Sequence, residues 1–340
     1  MATVNLVGLD IGSTSIRAVE ATRVKDRTVI NNFGRVLLPE GAVSAGVIKD
    51  DRAVTAALRE LWANYSVRTK EVRLGVAHQQ VIVREVTVAN VSAKEMRQTL
   101  PFQVRDALPL PVDEAILDFF PLENAERRDT VRGLLIAAPK ESVINTVHAV
   151  ERAGLHVAQI DLACFAALRA AAHLAGDTEA VVDIGASSTS IVIHTDGVPQ
   201  IVRTIPRGGA DITRMMATRL RITPGEAEAL KRQTSLTDDG AENSEIMSEA
   251  IRPLINEIRS SLAYCTNANP GMRVNRLALV GGAAMLSGLP DRLSESLSLR
   301  AFISDPLQRI SDSRRGGRHD ALGRMAPSAA VSIGLALGAA

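Results

Sequence analysis

Apolar and polar positions near the N-terminus predict three strands, Val4–Asp10, Ser15–Thr22 and Thr28–Leu37. Leu6, Val7 and Leu9 give the first an almost continuous apolar run, the texture of a strand covered on both faces. Lys25-Asp26 supplies a turn between the second and third, and Pro39–Ala42 reads as a loop. Asp50 or Asp51 caps a predicted helix that runs to about Asn64, with Ala53, Ala57, Leu58 and Leu61 on one face. Val72–Ala77 and Val81–Val88 follow as strands. From Val91 the pattern changes. Ser92 and Glu95 have the spacing of a capping box, and a helix follows through Leu100 and Phe102 to Ala107, stopped by Leu108-Pro109-Leu110-Pro111. Ala115–Leu122 is a predicted strand, Glu123–Thr130 a charged tip, and Val131–Ala138 a strong strand. Residues 83–132 therefore read as a small insertion. Glu141–Ala153 is an amphipathic helix ended by Gly154, a residue suited to the position after a helix C-terminus. Val157–Asp161 is short and extended, and Leu162–Leu174 an Ala-rich helix that is apolar nearly all round.

The opening pattern then returns. Leu9-Asp10-Ile11-Gly12-Ser13-Thr14 between two apolar runs is matched by Val182-Asp183-Ile184-Gly185-Ala186-Ser187 between two others, and a third strand, Val198–Thr204, follows the turn Asp196-Gly197. An internal repeat of a three-stranded unit decides the architecture before any detail does. It predicts two α/β domains, 1–178 with the insertion inside it and 179–340. Helical stretches at Asp211–Leu220, Thr223–Lys231 and Ser244–Cys265 make residues 210–274 a helical subdomain, with a polar loop over Leu236–Asn243. Pro253 inside the long helix predicts a kink or break. Arg276–Val280 is a buried strand, Gly281–Met285 a Gly turn, Leu289–Leu297 a helix, Ser311–Arg324 a polar Gly/Arg-rich loop, and Pro327–Leu337 a closing helix of small residues.

Composition narrows the classes. The chain has 340 residues, 46% hydrophobic and 23% charged, with a net charge of +1. A near-neutral balance gives no electrostatic footprint for nucleic acid, and 3% aromatics offers little for base stacking. Cys164 and Cys265 lie at neither disulfide-framework nor metal spacing and read as free thiols in a reducing compartment. No apolar run reaches the ~18 residues of a membrane span, and no secretory pattern opens the chain. The expectation is a cytoplasmic protein with no direct membrane insertion.

The repeat also carries the chemistry. Each Asp-Ile-Gly turn gathers backbone N–H groups and hydroxyls, a nest for an anion. Gly12, Ser13, Thr14 and Ser15 form the first, and Gly185, Ala186, Ser187 and Ser188 the second. Asp10 and Asp183 beside these nests would repel a bare phosphate but suit one that carries Mg²⁺, a hard cation with oxygen ligands. Gly281-Gly282-Ala283 lets backbone approach a ligand closely. Glu228 and Lys231 lie three apart on one helix face, a spacing that equally describes a surface ion pair.

The order of hairpin, hairpin and Gly-Gly turn resembles the actin, sugar kinase and heat-shock chaperone ATPase superfamily, over nearly the whole chain. That resemblance implies duplicated ribonuclease H-like (actin-like) domains with a nucleotide cleft between them. It implies ATP or ADP with Mg²⁺ as cofactors, Asp10 and Asp183 reaching the metal through water, and the two hairpins together with Gly209 around the phosphates. Gly281, Gly282, Ala283 and Met285 would border adenosine, with Glu228-Ala229-Leu230-Lys231 as the E-x-x-K helix. Finer features are similar to the PilM family of type IV pilus assembly proteins: Gly8 to Glu20, Val182 to Ser187, Glu95, Gln103, Leu108-Pro109, Ala115 to Phe119, and Pro327 to Leu337. The insertion's place in the first domain matches PilM and the division protein FtsA and differs from actin. The family implies a cytoplasmic adaptor, peripheral to the inner membrane, that holds the N-terminal cytoplasmic tail of a PilN-like protein among other pilus platform components; homo-oligomerisation stays open. Val81–Val88 and the face around Phe102 and Phe119 are candidate groove walls, or simply subdomain core.

Hydrolysis needs a group that orients water. In the segment linking the two halves, Asp161 is the only acid and Gln159 the only amide; either could serve, and Asp161 could instead cap the following helix. The expected ATPase activity is weak or absent. Two alternatives are an FtsA-like membrane-associated filament and a small-molecule kinase. The first wants a basic amphipathic C-terminal helix, which residues 327–340 do not provide, and no sugar-binding acid is evident for the second.

Overall fold

The computed structural model describes residues 4–24, 27–65, 67–123, 128–238, 240–268, 271–308, 310 and 322–338. The Lys25-Asp26 turn, most of the charged tip (124–127) and most of the Gly/Arg-rich loop (311–321) lie outside the described residues.

The first half opens with β1 (Val4–Ile11), β2 (Ser15–Val24) and β3 (Arg27–Leu37), then the short hairpin β4 (Val43–Ser44) and β5 (Val47–Ile48), α1 (Asp51–Asn64) and β6 (Glu71–Val76). Asp50 caps α1 by accepting the Ala53 N–H at 3.0 Å. The inserted module holds β7 (Ile82–Ala89), α2 (Ala93–Gln103), β8 (Ala115–Pro121) and the start of β9 (Thr130–Pro139). α3 (Lys140–Arg152), β10 (His156–Leu162) and α4 (Ala163–Ala171) complete the half. Its main sheet has the order β10-β6-β1-β2-β3, with β1 antiparallel to β2 and parallel to β6.

The second half repeats this plan with β11 (Thr178–Ile184), β12 (Thr189–Thr195) and β13 (Val198–Ile205), then α5 (Gly209–Leu220), α6 (Pro224–Gln233), α7 (Glu242–Ala268), β14 (Arg276–Val280), α8 (Leu289–Leu297) and β15 (Arg300–Ile303). Its sheet order, β13-β12-β11-β14-β15, is the first sheet's order copied, with the same antiparallel hairpin and parallel neighbours. The repeat read from Asp10 and Asp183 is therefore a repeat of topology.

Each half has its own core. Leu9, Ile16, Leu58, Leu61 and Leu74 are fully buried in the first, and Ile184, Ile191, Ile193, Ile212 and Met216 in the second. A third cluster joins them. Val19 and Phe33 of the first sheet, Val181 and Val280 of the second, and the Ala-rich faces of α4 and α9 (Ala330–Leu337) pack together. α9 is buried over nearly its whole length, and covering Ile333 and Leu335 is worth roughly 1.5–3 kcal/mol each. Its small residues let backbone lie on backbone. A Cβ on Gly334 would stand 1.8 Å from the Ala166 carbonyl oxygen of α4, and one on Gly8 would stand 2.1 Å from the Ser332 carbonyl of α9. The Arg169 Nε–H donates to the Gly334 carbonyl at 3.2 Å and locks the crossing.

The chain passes from the first half to the second beside a buried charge. Glu179 has no exposed side-chain surface, and accepts from Arg276 Nε at 2.6 Å, the His173 N–H at 2.9 Å and His194 Nε2 at 3.2 Å. His194 Nδ1 accepts the Gly197 N–H at 3.2 Å, which leaves Nε2 as the nitrogen that donates to Glu179. Burial opposes the Glu179 charge, but these donors outweigh it and hold the carboxyl at about 2.

The structure corrects several expected boundaries. α7 starts at Glu242 and runs through Pro253 without a break. Proline removes one backbone bond, and the flanking Ile251, Leu254, Ile255 and Ile258, all buried, hold the helix across the gap. α2 carries Pro101 and ends at Gln103, with a 3₁₀ turn over Arg105–Ala107 finishing the predicted stretch. The helix expected from Leu162 is the shorter α4, because β10 extends through Leu162. α5 begins at Gly209, two residues early, because the Asp211 carboxylate accepts the Gly208 N–H at 3.2 Å and caps the extra turn. The closing helix is a 3₁₀ turn over Ala326–Ala329 followed by α9.

Gly334→Ala is expected to destabilise the chain by about 1–3 kcal/mol or more through overpacking against α4. Gly225→Ala on α6, where a Cβ meets nothing within 4 Å, should be neutral or slightly stabilising. Urea unfolding of the two variants beside wild type checks the contrast.

Candidate functional site

The two Asp-Ile-Gly hairpins are built alike. The Gly12 N–H donates to the Ser15 carbonyl at 3.1 Å, and the Gly185 N–H to the Ser188 carbonyl at 2.9 Å. Ile11 pairs with Ile16 and Ile184 with Thr189, so each turn spans the same number of residues. The α4–α9 packing brings them face to face, and Ser13 Oγ lies 2.6 Å from Ser187 Oγ across the halves. Thr14 is exposed at the turn and its carbonyl accepts the Leu38 N–H at 3.0 Å. Ser15 Oγ is buried without a hydrogen-bond partner.

Asp10 and Asp183 end the two central strands and act on one another. Asp10 is buried, and its carboxyl is pushed up by that burial, partly offset by Arg17, whose NH1 donates to Asp10 Oδ2 at 3.1 Å. Asp183, also deep in the cleft, is pushed up to about 6 by burial and by the negative charge of Asp10, against the pull of Arg17. Two facing carboxylates with raised affinity for positive charge are hard oxygen donors that fit a divalent cation such as Mg²⁺.

The hairpin register sets a row of residues across the first sheet. Asp161, Gly75, Asp10, Arg17 and Arg35 stand opposite one another on β10, β6, β1, β2 and β3, and so share one face. Arg17 and Arg35 escaped the sequence reading. The signal for Arg17 lay in hairpin arithmetic: a turn that pairs Ile11 with Ile16 must pair Asp10 with Arg17.

Of the two candidates for a water-orienting group, Asp161 accepts the Leu162 N–H at 2.8 Å and is ion-paired with Arg169. It therefore ties β10 to α4 and is engaged on both oxygens. Gln159 is exposed, one pleat back along β10. Cys164 sits near both Asp161 and Asp183; burial first, then the charge of Asp161, pushes its thiol up to about 12, which leaves it a neutral packing group. Cys265 is likewise a free, buried thiol.

The remaining predicted residues close the second half of the cleft. The Gly209 and Ala210 N–H groups donate to the Gly185 and Ala186 carbonyls at 2.9 and 2.8 Å, so α5 starts directly on the second hairpin. Lys231 is buried, and its Nζ donates to the Gly209 carbonyl at 3.1 Å and Thr213 Oγ1 at 2.7 Å and pairs with Glu228 Oε2 at 2.5 Å. All three of its protons are thus used inside the protein, and Lys231 fixes the α5–α6 junction. Gly281 has φ +94°, and a Cβ there would lie 2.4 Å from Asp183 Oδ1; only glycine lets the turn after β14 pass so close to the carboxylate. Gly282 and Met285 are exposed on the same turn, with Ala283 buried beneath.

In the insertion, β7, β9 and β8 form a three-stranded sheet under α2. Phe119 packs into this small core with Val86 and Val88 of β7, whereas Phe102 is 84% exposed on α2. The core alternative thus holds for Phe119.

A duplicated strand plan, two facing Asp-Ile-Gly hairpins and a Gly turn define an actin-like fold. Residues 8–340 match the family described as type IV pilus assembly protein PilM, and the chain belongs to that family. The solved structure of a PilM–PilN type IV pilus biogenesis complex superposes with a TM-score of 0.87 at 25% identity, over 98% of this chain and 98% of that one. The MreB5 structure of Spiroplasma citri bound to AMPPNP shares the fold, with a TM-score of 0.54 at 14% identity over 98% of this chain and 95% of that one. Among curated relatives, the cell division protein FtsA of Enterococcus hirae is 25% identical over 89% of this chain and 78% of its own length. FtsA of Bacillus subtilis is 26% identical over 67% of this chain and 57% of its own length. Among the described residues no helix is long and apolar enough to cross a membrane.

The raised Asp183 carboxyl costs stability at neutral pH: its folded pKa lies above its unfolded value, so stability rises as pH falls through about 6. Asp183→Asn should therefore stabilise the fold at pH 7–8 without divalent ions or nucleotide, by on the order of 1 kcal/mol, seen as a higher melting temperature, and the gain should shrink at about pH 5. Thermal melts of the two proteins across that range check it.

Proposed function

We propose that this chain binds ATP or ADP with Mg²⁺ between its two halves and serves pilus assembly as an adaptor whose inter-domain angle responds to the nucleotide. The observation that carries the reading is the meeting of two equivalent hairpins with Asp10 and Asp183 acting on one another across the cleft. The halves, about 1–178 and 179–340, are proposed as the two moving bodies. Asp10 and Asp183 would hold the hydrated metal, which neutralises phosphate charge when bound. The turn N–H groups and the Ser13, Thr14, Ser187 and Ser188 hydroxyls would bind phosphates, whereas the Ser15 hydroxyl is fully buried and would not. Gly281, Gly282, Ala283 and Met285 would border adenosine, with Glu228 beside the ribose and Lys231 stiffening that wall. The engagement of Asp161 by Arg169 supports weak turnover over rapid hydrolysis.

The partner proposed is the N-terminal cytoplasmic tail of a PilN-like inner-membrane protein, which would bring the chain to the inner face of the membrane alongside other platform components. The support is the likeness to a PilM that was solved with PilN, and the exposed Phe102 on the insertion, an apolar anchor of the kind a short peptide covers.

Calorimetric titration with Mg-ATP tests the cleft: Asp10→Ala with Asp183→Ala should abolish binding, and normal binding by the double variant would overturn the reading. A peptide of the first residues of a PilN-like protein tests the surface. Phe102→Glu should weaken its binding at least tenfold, by more than about 1.4 kcal/mol, and unchanged affinity would remove the insertion face from the proposal.

A further inference from the structure

The inserted module uses both faces of its sheet. One face packs with α2 around Val131 and Leu135. The other carries Leu134 and Ile136 of β9, which pack against Leu162, the last residue of β10. Cys164 and Phe165, in the first turn of α4, lie on the same cluster. Phe120 of β8 stands opposite Leu134 in the β8–β9 register and so shares this second face. It meets Phe165 with ring centroids 6.1 Å apart and planes tilted by 49°. Cys164 packs on two cores at once, this one and the one that joins the halves, and it is the one side chain the two clusters share among the described residues. The joining core contains Val181 of β11, two residues before Asp183. β7 of the insertion also lies beside β13 of the second half. The module grows out of the first half, yet it touches both bodies that frame the cleft.

We infer that the inserted module is a brace across the two halves, seated by Phe120 on Phe165 and by Cys164 in both cores, so that closing the cleft on a nucleotide tightens the seat and a tight seat favours the nucleotide. The inference rests on the nucleotide reading for what occupies the cleft, and on packing alone for the brace. Close-packed cores do not deform continuously. The start of α4 cannot shift against β11 without moving Cys164, and Cys164 cannot move without repacking Leu134, Ile136 and Phe165 around it. The element with two arrangements is the angle between the halves, and a coupling free energy between two sites acts equally in both directions. Phe120 is 37% exposed, so truncating it loosens the seat without emptying either core. Ile116 lies on the same face of β8 and is 39% exposed, but it stands outside the cluster. The pair separates seating from a general effect of trimming β8.

The test combines Mg-ATP titration with hydrogen exchange on the full chain and on its Phe120→Ala and Ile116→Ala variants, with thermal melting as the fold control. In wild type, Mg-ATP should slow amide exchange in β8 and β9 more than at the end of α7 around Cys265, which lies in the core of the second half and reports stabilisation of the whole chain. Phe120→Ala should remove that extra slowing and weaken Mg-ATP binding about threefold or more. Ile116→Ala should do neither. Phe165→Leu, which keeps an apolar side chain and removes the ring contact, gives the same readout if Phe120→Ala folds poorly. Equal slowing everywhere, or a Phe120→Ala protein that keeps either the extra slowing or wild-type affinity, would overturn the brace and leave the nucleotide reading standing. An Ile116→Ala effect as large as that of Phe120→Ala would overturn the seat at Phe165. Wild type that does not bind Mg-ATP would overturn the nucleotide reading and the coupling with it.

Discussion

Backbone lies on backbone where α9 crosses α4 and β1, and the rest of the cleft depends on that contact. Gly334 against the Ala166 carbonyl and Gly8 against the Ser332 carbonyl leave no room for a methyl group. The two sheets therefore approach through the thinnest layer a helix pair can make, and the turns after β1 and β11 are carried into register with one another. With larger residues at the crossing, each half could keep its own core while the hairpins lost their alignment, because the cores of the halves are built separately.

That alignment forces an electrostatic compromise. Two carboxylates, one from each half, share the cleft, and Arg17, which donates to Asp10, offsets part of the cost at both. Low dielectric strengthens both the repulsion between Asp10 and Asp183 and the attraction of each for a cation. The arrangement costs stability in the bare protein, unlike a structural ion pair such as Glu179 with Arg276. In that second cluster every donor and acceptor belongs to the chain, and the carboxyl is pulled down instead of pushed up. The two carboxylates diverge because donors outweigh burial at Glu179, whereas at Asp183 burial prevails and the charge of Asp10 reinforces it.

The strands were legible because their apolar runs are long and their turns chemically marked. Asp-Ile-Gly at both hairpins and Thr223-Pro224 before α6 announce themselves locally, and the repeat told which strands are equivalent. Less legible were features set by neighbours remote in sequence. Pro253 reads as a helix breaker, yet buried side chains on both sides of it keep α7 whole. Phe102 and Phe119 look alike in the sequence, but one faces outward on α2 and the other fills the core of the insertion. Lys231 had the spacing of a ligand-facing residue, while its protons are taken up by Gly209, Thr213 and Glu228.

The sequence by itself determined the unit of architecture: a strand, an acid, a glycine turn with hydroxyls, and a second strand, written twice. Those are local properties, since turn geometry and alternation depend on residues within a few positions of one another. Only the tertiary structure decided what the two copies do together. Whether Asp10 meets Asp183 and whether Ser13 meets Ser187 are questions about groups far apart in the chain. Their answers come from how closely α9 can lie on α4, a contact between small residues whose absent side chains leave little pattern to read.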